Sequence, residues 1–203
     1  MSPLQKIAMG LVLMTVPAGF KVGGYVWDGL PDPLGWLLVI SGVLALRERT
    51  ELDLEWVLGV ARTALAVSIV QWIPPLFELF LPADKVGEAS IKWAFFLPQA
   101  VFLFLLARTI GKTAIEQEPR DSFVAGRYGV LMWAAVAVIV LPPIGYGTGR
   151  ENVIDTAAIA IGLVDVAFIY QLFRVHRREW LGGAGPLLIH PKPRNDEGRP
   201  ASE

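Results

Sequence analysis

The chain contains no cysteine. This excludes disulfides, thiolate metal sites and cysteine nucleophiles. Histidine is nearly as scarce. His176 and His190 both follow the last long apolar segment, so no histidine base or zinc cluster can form within those segments. Charged residues make up only 18% of the chain, and they gather between apolar runs instead of alternating with them. Phosphate-binding loops are also missing. The stretches "GTGRE" and "GGAG" have neither the following lysine nor a strand–helix context. Asp155 and Asp165 fall about 15 Å apart along one helix, too far for a carboxylate dyad. No catalytic activity and no cofactor are expected.

What is abundant is apolar surface. Hydrophobic residues form 54% of the 203, and mean hydropathy is +0.50. A soluble domain of this size has too little interior for that area, so lipid is the expected solvent. Six segments are predicted to be helical: Leu4 to Trp27, Pro33 to Leu46, Glu51 to Leu81, Ser90 to Ile110, Ser122 to Tyr146 and Asn152 to Val175. The expected fold is therefore all-α, an integral membrane bundle of six transmembrane helices over residues 1–181. A flexible cytoplasmic tail over 182–203 is rich in Gly, Pro and charge. Lys6 and the apolar run after it resemble a signal peptide, but no A-x-A-like site follows, and the run reads as a retained first helix.

Local chemistry marks the boundaries. Asp32-Pro33 reads as an N-cap followed by proline at the first helical position, and Thr50 with Asp53 as a capping box. Pro74-Pro75 should kink or break the third segment. Six of seven tryptophans (27, 36, 56, 72, 93 and 180) fall near segment ends, as in an aromatic belt; Trp133 does not. Each odd segment ends in an apolar run with proline, and each even one in a leucine-containing step to arginine. Three helical hairpins would account for this, and so would the ordinary frequency of such residues in membrane helices.

Orientation follows from Lys and Arg. Thirteen of the eighteen fall on the side that holds both termini, four on the other (Lys21, Lys85, Lys92 and Arg150), and Arg62 lies inside the third segment. The positive-inside rule then places both termini in the cytoplasm of a cell whose inner membrane the chain spans. The net charge of −1 says nothing about partners, because its parts lie on opposite sides of the membrane.

Polar residues inside the apolar layer are the candidate site. Thr15, Arg62, Gln99 and Asp165 all lie roughly 12–14 Å from the inner surface at 1.5 Å per residue. An unpaired charge at that depth is costly, so an Arg62–Asp165 pair with Gln99 nearby is predicted. It would serve either as a solute or proton site or as a clamp on helix packing. A second group, Lys21, Asp28, Asp32, Gln71, Glu78 and Asp155, collects near the outer surface as a vestibule or as side chains reaching water. "RVHRREW" is basic with an aromatic anchor and suits an anionic leaflet.

Leu30, Pro31, Asp32, Gly35, Trp36, Leu38 and Gly42 form an L-P-D turn leading to G-[YW]-x-L and a small residue. This resembles a pattern in small bacterial multi-pass membrane proteins and covers about a tenth of the chain. The resemblance implies fold type and bacterial origin. Two functions fit: a bundle that binds or passes a small solute or ion, and an accessory subunit packed against another membrane protein. A lipid-modifying enzyme is a third class. The partners expected are the bilayer and a membrane protein or second copy, and not nucleic acid.

Overall fold

The computed structural model describes residues 1–185. Most of the expected tail, with His190, lies outside the described residues. The elements in order are α1 (Pro3–Thr15), β1 (Gly19–Val22), β2 (Tyr25–Asp28), α2 (Asp32–Arg49), α3 (Glu55–Trp72), α4 (Pro74–Glu78), α5 (Lys85–Glu116), α6 (Ser122–Thr148) and α7 (Glu151–Val175). A 3-10 turn over Glu179–Leu181 follows.

α1 opens with a capping box. Gln5 N–H donates to Ser2 Oγ at 3.3 Å, and Ser2 N–H donates to Gln5 Oε1 at 2.8 Å. It ends at Thr15, far short of Trp27. The chain then turns into an antiparallel hairpin that pairs Phe20 with Trp27 and Val22 with Tyr25, so the all-α expectation is corrected here. Gly23 and Gly24 carry φ of 60° and 86°, the left-handed pair that a two-residue hairpin turn needs. Phe, Val, Tyr and Trp on either side favour strands. The hairpin is tied down by Trp72, whose Nε1–H donates to the Asp28 carbonyl at 3.0 Å.

Two predicted caps are also corrected. The N-cap of α2 is Pro31, with Asp32 already helical and making no capping bond. Thr50 turns back to the Leu46 carbonyl at 2.7 Å, and Leu54 opens α3. Where the first turn begins decides this, because a cap side chain must stand one residue outside the helix. The third segment breaks at Ile73, just before Pro74, as expected of a residue preceding proline. α5 begins at Lys85, with Asp84 accepting from Gly87 N–H at 2.7 Å. α6 begins at Ser122 under an Asp121 cap at 3.2 Å.

The six longer helices close into a ring: α1 on α2, α2 on α3, α3 on α5, α5 on α6, α6 on α7, and α7 back on α1. Each predicted hairpin pair is in contact, and α2–α3 and α5–α6 pack as well. Side chains fill the centre, including Ile7, Leu11, Val39, Val43, Leu103 and Phe168. Trp36, expected in an interfacial belt, is buried and meets Phe102 of α5 edge-on at 5.3 Å.

α5, α6 and α7 are each long and apolar enough to cross a membrane. α1, at about 20 Å, is shorter than a hydrocarbon core of about 30 Å. The α1–α2 crossing is backbone on backbone: a Cβ on Gly10 would stand 2.5 Å from the Gly35 carbonyl oxygen. Gly59 on α3 faces open space. Gly10→Val should therefore cost about 1–3 kcal/mol by overpacking. Gly59→Ala should be neutral or stabilising by up to about 1 kcal/mol. Thermal unfolding of detergent-purified protein separates them, and equal losses would refute the crossing.

Candidate functional site

Of the four mid-depth residues, the structure joins two. Gln99 Nε2 donates to Asp165 Oδ2 at 3.1 Å, linking α5 to α7. Asp165 is 8% exposed and sits beside buried Val164 and Phe168. Gln99 is half-buried between Pro98 and buried Ala100. Pro98 has no N–H to give, so the Ala94 carbonyl one turn back has no helical donor.

The Arg62–Asp165 pair is not formed. Arg62 is exposed on α3 and makes no ion pair among the described residues. Helical phase gives the reason. Val57, Ala61, Ala64 and Ser68 form the inward face of α3, and Arg62 lies one residue, about 100°, away from Ala61. Depth was matched, but azimuth was not. Thr15 is likewise outside the cluster. It is the last residue of α1, and its Oγ1–H donates to the Leu11 carbonyl at 2.8 Å.

The outer group is dispersed. Lys21 on β1, Glu78 on α4 and Asp155 on α7 are exposed, and no ion pair joins them among the described residues. Asp28 and Asp32 share the turn between β2 and α2. Asp28 Oδ1 accepts from Leu30 N–H at 3.0 Å, and Asp32 Oδ1 is buried with no hydrogen-bond partner among the described residues. Gln71 is half-buried near the end of α3, next to the Trp72 indole that reaches Asp28.

Several polar residues escaped the sequence reading. Tyr128 is fully buried, its Cβ close to Gly111 of α5, and its hydroxyl has no hydrogen-bond partner among the described residues. Gln171 is buried, and its Oε1 has no hydrogen-bond partner among the described residues. Spacing alone signals Tyr128, which falls on the inward stripe of α6 with Val124, Leu131 and Ala135. Where α6 begins and α7 ends, Arg178 Nε meets Asp121 Oδ2 at 3.2 Å, which locks the turn after α7 onto the start of α6. The four clefts described all open at this basic end. One of about 470 Å³ lies between α3 and α5 and is lined by Asp53, Trp56, Arg108 and Lys112. Among the described residues, no group of acidic or histidine side chains could hold a metal ion.

Chemically, the Gln99–Asp165 bond is a cross-link between helices in an apolar interior. It has the hydrogen-bonding capacity to hold a polar solute. Searches against protein-family models, curated proteins and solved structures found no match for the chain.

Gln99→Leu strands the Asp165 carboxylate and should cost about 1–3 kcal/mol. Asp165→Asn keeps an acceptor for the Gln99 amide and should cost less than half of that. Chemical denaturation in detergent checks the order, and a costlier Asp165→Asn would contradict the bond.

Proposed function

We propose that this chain is a non-enzymatic accessory subunit of a bacterial inner membrane. It crosses six times, with both termini in the cytoplasm, and packs against another membrane protein. Support for the crossings comes from three helices of sufficient length and apolarity, from the closed ring, and from the one-sided Lys and Arg distribution. The L-P-D turn and its resemblance to small bacterial multi-pass proteins support the setting.

Arg62 carries the functional reading. Its α-carbon lies about 10 Å along α3 from Glu55, on a face that also presents Gly59, Thr63 and Ala66. A cation there costs about 2.5–3.5 kcal/mol against lipid. The small residues let a neighbouring helix come close, and an Asp or Glu on that helix would neutralise the guanidinium. A symmetric pairing of two copies through this face would bring Arg62 against Arg62, so the partner is a different protein with an acidic transmembrane helix.

A second reading, a bundle that binds or passes a small solute, rests on Asp165. It is a buried carboxylate within a span, beside the backbone break at Pro98. Under that reading, Asp165→Asn preserves the fold and abolishes uptake.

The accessory reading is tested by a photo-crosslinking residue placed at Thr63 in cells. It should yield a discrete adduct with a second protein that Arg62→Leu abolishes, while the isolated Arg62→Leu protein stays as stable as the wild type or gains up to about 3 kcal/mol. Adducts with lipid alone, or with a second copy of this chain, would sink the proposal.

A further inference from the structure

Where α6 begins and α7 ends, a cleft of about 640 Å³ opens between the two spans, lined by Phe123, Arg174, Arg177, Arg178, Glu179 and Trp180. Both spans are long and apolar enough to cross a membrane, so their ends lie at headgroup level.

The cleft gathers more positive charge than it neutralises. The Arg174 guanidinium stacks on Phe123 with its centre 4.6 Å from the ring, and the Arg127 guanidinium approaches the same ring at 5.6 Å. Arg174 Nη1 also donates to Tyr170 Oη at 2.9 Å, which holds it in place. Arg177 uses Nε on the Gly185 carbonyl at 2.8 Å and keeps its terminal amino groups. Arg178 is committed to Asp121. Arg127, Arg174 and Arg177 make no ion pair among the described residues, and Glu179 is the acid in the lining. Two guanidinium groups drawn to one ring repel each other unless an anion lies between them. Planar forks at fixed positions suit phosphate oxygens, and the aromatic rims of Phe123 and Trp180 suit the glycerol and acyl boundary.

We propose that this cleft binds the phosphate headgroup of an anionic phospholipid, held by Arg174 and Arg127 with Arg177 at the rim. The site is independent of any partner on α3. It differs from diffuse attraction of a basic segment to a leaflet in having a defined place between two helices.

Native mass spectrometry of the full chain, released from detergent after addition of phosphatidylglycerol, phosphatidylcholine or inorganic phosphate, tests the site. Phosphatidylglycerol should be retained on the order of tenfold better than phosphatidylcholine. The double change Arg174→Gln with Arg127→Gln should remove that preference. Arg108→Gln, on α5 at the same membrane level, should leave it within about twofold. If the double variant does not purify, Phe123→Leu, which keeps every charge and removes the stacking surface, should weaken retention severalfold. An equal loss from Arg108→Gln would reduce the effect to surface charge and overturn the site. Displacement of the lipid by equimolar inorganic phosphate would assign the cleft to free anions and overturn the lipid.

Discussion

The outward faces of α6 and α7 carry large apolar side chains, and the rest of the structure answers to that constraint. Val130 and Trp133 are each 68% exposed and Leu163 is 65% exposed, in company with Ile144, Ile159 and Val166. Water would not tolerate such a surface on a monomer, but a hydrocarbon solvent requires it. That solvent removes the hydrophobic reason for helices to associate, so close fit and hydrogen bonds must hold them together. The backbone contact at Gly10 and Gly35, the Gln99–Asp165 bond, and the Trp93 indole donating to the Ile139 carbonyl at 3.0 Å are devices of that kind.

Hydroxyl groups obey the same constraint. Thr15, Thr50, Thr63, Ser90, Thr148 and Thr156 each donate to the carbonyl four residues back on the same helix. Each donor is thereby satisfied without water. Arg62 cannot be satisfied that way. No carbonyl on its own helix neutralises a guanidinium, whereas Thr63 beside it needs nothing further. At the ends of the spans the logic reverses. Water and headgroups are available there, so Arg127, Arg174 and Arg177 can stay without carboxylate partners at little cost.

The sequence was most legible where one strong signal had no competitor. α6 and α7 were placed to within a few residues because Asp121, two residues after Pro119, caps one, and Gly149 ends it in a left-handed turn shortly before the other begins. The Pro74 break was equally plain. The hairpin was missed because Phe20, Val22, Tyr25, Val26 and Trp27 are apolar enough to extend α1, and hydropathy outweighed the Gly23-Gly24 turn. Depth counting set Gln99 and Asp165 at one level, and a hydrogen bond joins them. It failed for Arg62 because distance along an axis is blind to rotation about it. Tyr128 and the Asp121–Arg178 contact give no signal as charge inside an apolar run. One is neutral, and the other lies at the ring's end.

The most direct measurement uses the absence of cysteine. Single cysteines introduced by Lys85→Cys, Trp133→Cys and Arg120→Cys can be probed in intact cells and then in broken ones with a membrane-impermeant maleimide. Lys85→Cys should react in intact cells, Arg120→Cys only after the cells are broken, and Trp133→Cys in neither until detergent is added. Labelling of Trp133→Cys without detergent, or of the other two from the same side, would contradict a lipid-embedded ring.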